Sequence, residues 1–199
     1  MKIYKDIVQG TDEWKAIRKG KMTASHAQEI GNNGKGLDTY IIKIVAEMLS
    51  SGEAKFYTNA DMERGNELES LARAAYEMER DVTVEQVGFV EYSKYVGGSP
   101  DGLVGEDGGV EIKCHDDAGH LKFLLNGEDE IDSKYKWQVQ ANLLITGRKW
   151  WDYISYNPNF KKSLVVIRIE PDQLMHEKLH AGFEAGAKKI EELIKKVNL

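Results

Sequence analysis

Apolar residues recur at helical spacing through the first part of the chain. Tyr40, Ile41, Ile44, Val45, Met48 and Leu49 follow one another at such intervals, which predicts a helix over residues 37–49. Leu68, Leu71, Ala72, Ala75 and Tyr76 form a second stripe, on a helix expected from about residue 59 to about residue 79. A shorter helix carrying Trp14, Ile17 and Arg18 starts after Thr11, whose hydroxyl can cap it, and Thr23 or Ser25 can cap the next one. The run Gly31-Asn32-Asn33-Gly34-Lys35-Gly36 reads as a mobile loop.

After Arg80 the period shortens to two. Val82, Val84 and Val87 alternate, and Phe89-Val90, Tyr95-Val96, Leu103-Val104 and Val110 to Ile112 follow, punctuated by glycines at 97–98, 102, 105 and 108–109. That pattern predicts an antiparallel meander over 82–114. Helices are expected near 118–125 and over 134–146, and strands within 149–170. Pro171 opens a final helix to about 197, with Leu174, Leu179, Phe183, Ala187, Ile190 and Leu193 as its apolar positions. With no repeat and no Pro- or Ser-rich linker, a single domain over 1–199 is expected, its N-terminal helices within 11–80. The fold class expected is mixed α/β, a central mixed sheet flanked by helices.

Composition narrows the setting. The 199 residues are 41% hydrophobic and 30% charged, an ordinary globular balance. No apolar run approaches the ~20 residues that span a bilayer, so no membrane association is expected, and the N-terminus lacks the apolar core of a secretory signal. Cys114 is the only cysteine, which precludes an internal disulfide and points to a reduced, cytoplasmic setting. A net charge of −6 argues against a simple basic coat for nucleic acid but leaves room for a local basic channel.

The most informative stretch is Ser99-Pro100-Asp101-Gly102, followed by Glu111-Ile112-Lys113. In a strand, residues two apart share a face, so Glu111 and Lys113 point together while Ile112 turns into the core. A hairpin between the two segments brings Asp101 beside Glu111. Two carboxylates and a backbone carbonyl make an all-oxygen site suited to Mg²⁺ or Mn²⁺, with a lysine alongside to orient water or offset developing negative charge. The plain alternative is a surface hairpin with an Asp-Gly turn and a Glu-Lys pair. Cys114, His115 and His120 offer zinc-type donors but lack a fourth ligand at suitable spacing. His26, His176 and His180 have no nucleophile-elbow motif to accompany them, and no Walker A loop occurs.

The Pro-Asp…Glu-x-Lys arrangement resembles the PD-(D/E)xK nuclease superfamily, with its restriction-endonuclease-like core. Three further blocks narrow the resemblance: residues 14–25, of the form W-x-x-x-R-x-G-x-x-T-A-S; residues 64–69, Arg-Gly-Asn-Glu-Leu-Glu; and residues 137–140, Trp-Gln-Val-Gln. Together with Tyr156-Asn157-Pro158, they occur in the order found in the phage lambda exonuclease family, the YqaJ-like viral recombinases and alkaline exonucleases. The resemblance implies Asp101, Glu111, the Ile112 carbonyl and Glu69 as metal ligands, and Lys113 as the catalytic lysine beside Asp101 and Glu111. For Glu69 the competing reading is an exposed helix residue paired with Arg73.

By the same resemblance Arg18, Ser25, Ser99 and Gln138 bind the DNA 5′-phosphate, whereas Gln140 faces elsewhere and is structural. Lys35 and Met62 are weaker candidates for contacts to incoming duplex. The activity implied is a Mg²⁺-dependent 5′→3′ exonuclease, with Mn²⁺ as a substitute and two ions per active site. It would degrade one strand of linear duplex to 5′-mononucleotides and leave a 3′ tail. The partners implied are duplex ends bearing a 5′-phosphate, two further copies in a homotrimeric ring, and a phage single-strand annealing protein. The implied source is a phage or prophage acting in the cytoplasm of a bacterial host. The alternatives are a PD-(D/E)xK endonuclease and a non-catalytic DNA-end-binding recombination accessory.

Overall fold

A computed structural model describes residues 1–51 and 60–197, with side chains of the helix at 60–80 described from residue 67 onward. Helix α1 (Asp12–Arg18) follows strand β1 (Lys2–Tyr4) and starts at Thr11, whose hydroxyl accepts the Trp14 N–H. Strand β2 (Met22–Thr23) leads through a 3₁₀ turn (Ala24–His26) into α2 (Ala27–Asn32) and α3 (Lys35–Leu49). Helix α4 (Ala60–Arg80) precedes β3 (Val84–Glu85), β4 (Phe89–Ser93), β5 (Val96–Gly98), β6 (Gly102–Val104) and β7 (Gly108–Lys113). Then come α5 (Asp117–Asn126), α6 (Ser133–Thr146), β8 (Trp150–Tyr156), β9 (Leu164–Ile169) and α7 (Gln173–Val197).

The expected meander divides between two sheets. One has the order β1-β4-β5-β2 and the other β3-β6-β7-β8-β9. The chain changes sheets between β5 and β6, at Ser99-Pro100-Asp101. Pro100 is buried there and has no N–H to continue a ladder, which favours a break in pairing. Strands β1 and β2 carry too few residues to show an alternation and were not expected from the pattern; they join through pairing with β4 and β5.

The larger sheet places the informative residues. β6 and β7 form the expected hairpin, with Gly102 opposite Val110, and β7 runs parallel to β8 with Glu111 opposite Tyr153. Val110 and Ile112 pack on one face with Ala72 and Tyr76 of α4. Tyr153 lies on the other face, in a cluster with Val139 and Leu143 of α6.

Several expectations are corrected. Residues 31–36 are not a loop: Gly31 lies in α2, Lys35 and Gly36 lie in α3, and Lys35 is exposed. Asn33 alone takes the left-handed conformation (φ 46°) that ends α2, a geometry its short side chain tolerates. Gly31 is held by packing, since a Cβ there would lie 2.2 Å from the Trp137 ring. Neither Thr23 nor Ser25 caps a helix through its side chain; their hydroxyls bond each other instead. Leu71 is exposed because α4 buries the face carrying Ala72 and Tyr76. Leu174 is exposed in the first turn of α7, which Asp172 caps by accepting the Met175 N–H. Further along α7, Leu179, Phe183 and Ile190 are buried as expected. Met62 lies outside the residues whose side chains are described.

Candidate active site

Asp101 stands at the sheet change, and its Oδ2 accepts the Ile112 N–H at 2.7 Å, which locks the start of β6 onto β7. Glu111, one residue before Ile112, is fully buried. Its Oε1 accepts from Lys113 Nζ at 2.5 Å and from Gln138 Nε2 at 2.7 Å, and its Oε2 accepts a longer bond from Asn142 Nδ2. Gln138 and Asn142 are four apart on α6 and so share a helix face.

Charge is concentrated here. Burial, and then the nearby Asp101 and Glu69 carboxylates, push the Glu111 carboxyl up to about 7 against the opposing pull of Lys113. Burial alone would lower the Lys113 ammonium, but Glu111 and Asp101 outweigh it and raise it well above its ordinary value. The Lys113 ammonium also lies 5.0 Å from the Tyr135 ring centroid, within cation–π range.

Glu69 is half-buried rather than exposed, and its carboxylate pairs with Arg73 at 3.1 Å; it lies near enough to Asp101 for burial and that charge to raise its pKa. Among the described residues no three acidic, histidine or cysteine side chains are grouped as a complete ligand set. A cation held by Asp101 and Glu111 therefore needs backbone carbonyl or water as its remaining ligands.

A second cluster lies just upstream of Asp101. Ser99 Oγ accepts from Trp14 Nε1 at 2.9 Å and from Arg18 Nη1 at 3.4 Å. The Arg18 guanidinium stacks on the Trp14 ring, its carbon 4.2 Å from the centroid. Helix α1 places residues four apart on one face, which is why Trp14 and Arg18 meet. Ser25 is exposed, and its hydroxyl lies 3.1 Å from Thr23 Oγ1.

The structure thus joins Asp101, Glu111 and Lys113, sets Glu69 at their edge, and joins Arg18 to Ser99. Gln138 is placed on Glu111, with the carboxylates. Gln140 is structural, donating to Glu170 O and accepting from Asp172 N. Both ring nitrogens of the buried His120 are hydrogen-bonded, to Ser155 Oγ and Lys162 O, which leaves neither for a metal. Sequence reasoning missed Trp14, Tyr135 and Asn142 as members of the site. The i,i+4 spacings Trp14/Arg18 and Gln138/Asn142 were the available signals.

No curated protein matches the chain. The crystal structure of LHK-Exo in complex with dAMP is similar over 94% of this chain and 96% of that one, at 31% identity and TM-score 0.84. A second crystal structure, of an alkaline exonuclease (LHK-Exo) from Laribacter hongkongensis, gives 32% identity, coverage of 94% and 98%, and TM-score 0.80. A phage-related exonuclease from Haemophilus somnus shares the fold at 16% identity, with coverage of 89% and 96% and TM-score 0.72. The family model for the YqaJ-like viral recombinase domain matches residues 13–149. With its Pro-Asp segment leading into β6 and its Glu-x-Lys segment on the adjoining β7 of a mixed sheet, the chain belongs to the YqaJ-like viral recombinase family, whose structural neighbours here are exonucleases.

Proposed function

We propose that this protein is a Mg²⁺-dependent 5′→3′ exonuclease that shortens one strand of linear duplex DNA, releases 5′-mononucleotides and leaves a 3′ single-stranded tail. The observation that carries the reading is the packing of Asp101, Glu111 and Lys113 at one sheet position, only two residues after Ser99 in the Arg18 cluster. Two residues of extended chain reach about 7 Å, so a group that holds the end of a strand sits beside the group that cuts it. The complex of LHK-Exo with dAMP, a 5′-mononucleotide, fits the same product class.

The donor set fits a hard divalent cation. Asp101 and Glu111 offer oxygen only, and burial first, with the Asp101 and Glu69 carboxylates adding to it, raises the Glu111 carboxyl to about 7 despite Lys113. Asp101, Glu111 and the Ile112 carbonyl would hold the ion, with Glu69 as a further ligand, directly or through water; the resemblance implies two ions, and Mn²⁺ as a substitute. Mg²⁺ bound there supplies Lewis-acid polarisation of the phosphoryl oxygen and a more acidic water.

The chain's own groups do the rest. Lys113 orients the attacking water and stabilises charge developing on the scissile phosphate. Gln138 and Asn142 fix the rotamer of Glu111. Arg18, Ser25 and Ser99 take the terminal 5′-phosphate, since a guanidinium and hydroxyl donors match a phosphate dianion. Such a pocket gives directionality by positioning the substrate.

The ring-shaped homotrimer and the annealing-protein partner implied by the family resemblance belong to the same proposal, as does action in the cytoplasm of a phage host. Among the described residues no helix is long and apolar enough to cross a membrane. Supplying linear and closed circular forms of one plasmid with Mg²⁺ tests the reading. Loss of the linear form alone supports it; cutting of the circle would indicate an endonuclease, and cutting of neither a DNA-binding accessory.

A further inference from the structure

We propose that Tyr40 and Thr23 are positioning residues for recognition of the 5′-phosphate: a chain of three hydroxyls runs from Tyr40 through Thr23 to Ser25 and aims the Ser25 proton outward at the anion. The inference rests on the phosphate-pocket reading above and assigns roles to two residues outside the pocket.

The geometry is continuous. Tyr40 of α3 accepts the Thr23 backbone N–H at its hydroxyl at 3.1 Å, and the same hydroxyl lies 3.3 Å from Thr23 Oγ1. Thr23 Oγ1 lies 3.1 Å from Ser25 Oγ. Thr23 is buried, 4% exposed, whereas Ser25 is exposed, so the chain runs from the interior to the surface. The Tyr40 ring is held by His26, stacked at 4.0 Å between centroids.

Proton direction follows from counting. The Tyr40 oxygen already accepts from the Thr23 N–H, and its own proton faces two acceptors, Thr23 Oγ1 at 3.3 Å and the Lys21 carbonyl at 3.5 Å, of which Thr23 Oγ1 is the nearer. Thr23 Oγ1 then gives its proton to Ser25 Oγ. Ser25, having accepted, has its proton left to donate to a ligand outside. Each donation polarises the next, which makes the terminal hydroxyl a better donor to an anion than an isolated serine. The Arg18 guanidinium lies near enough to Tyr40 for their charges to interact, so the first hydroxyl of the chain lies near the cation of the same pocket.

The test compares Tyr40→Phe, Thr23→Val and Thr23→Ser with the parent chain on duplex ends carrying either a 5′-phosphate or a 5′-hydroxyl. Tyr40→Phe and Thr23→Val each break one link, and the loss of one oriented hydrogen bond should cut the preference for phosphorylated ends roughly three- to tenfold. The loss should appear as a higher KM for phosphorylated ends with kcat held, and Thr23→Ser, which keeps the hydroxyl, should restore it. If the parent prefers phosphorylated ends and both variants keep that preference, the relay is wrong and the pocket stands. If the parent shows no preference, the pocket reading and the relay fall together. Thr23→Val keeps the backbone bond to Tyr40, so it remains informative should Tyr40→Phe fold poorly.

Discussion

Asp101 Oδ2 accepts the Ile112 backbone N–H at 2.7 Å, so the residue just before β6 is fastened to the strand that carries Glu111 and Lys113. This bond couples the fold to the proposed chemistry: the side chain that closes the hairpin is the one that would face a cation. Asp101→Asn keeps a similar shape and an acceptor oxygen but loses the charge. It should leave the melting temperature within a few degrees of the parent and reduce nuclease turnover by roughly a hundredfold or more. Calorimetry and single-turnover digestion check the two halves separately.

Removing the ammonium of Lys113 gives a different signature. Lys113 is the only cation bonded to the buried Glu111 among the contacts described, so Lys113→Ala leaves that carboxylate with amide donors alone. The variant should lose both activity and stability, with the stability loss larger at pH 8 than at pH 5. Thermal melts at the two pH values read this directly.

Stability in the absence of divalent metal should depend on pH through Glu111. Its carboxyl is raised in the folded protein to about 7 from an ordinary 4.5, so between those values the folded state holds the proton more tightly than the unfolded chain. Stability therefore falls as pH climbs through that window and levels off above it. Glu69, raised by burial and then by Asp101, adds a contribution of the same sign. Glu111→Gln should flatten the slope, and Mg²⁺ or Mn²⁺ added above pH 7 should raise the parent's melting temperature but not that of Glu111→Gln. A parent slope identical to that of Glu111→Gln would contradict this assignment.

Gln138 separates two roles by kinetics. Its amide is on Glu111 Oε1, so Gln138→Leu should slow turnover about tenfold, to a similar degree on phosphorylated and hydroxyl ends. A loss confined to phosphorylated ends would return Gln138 to the phosphate set.

Helix α7 is docked by close approach rather than by side-chain bulk alone. A Cβ on Gly182 would lie 2.0 Å from the Ile30 carbonyl oxygen, a backbone atom that cannot swing away. Gly182→Ala should therefore cost about 1–3 kcal/mol, read as an earlier urea midpoint.

Much of the site was legible because it lies in local pattern. Glu111 and Lys113 share a face by strand geometry alone, and the spacing of Asp101 to Glu111 fits a hairpin. Helix α3 and strands β8 and β9 announce themselves by apolar periodicity. The sequence was silent where the outcome depended on distant partners. Gly31 looks like loop chemistry until Trp137 is seen against it, and Thr23 looks like a cap until Tyr40 takes its N–H. The division of the meander into two sheets follows from β1 and β2 claiming β4 and β5, and strands of two or three residues leave no periodic trace.

The most direct test of the central claim is digestion of a linear duplex carrying a 5′-phosphate on one strand only, with each strand labelled. With Mg²⁺, the phosphorylated strand should disappear first as 5′-mononucleotides, and EDTA or Asp101→Asn should stop its loss. Equal loss of both strands, or cutting that survives EDTA, would contradict the account.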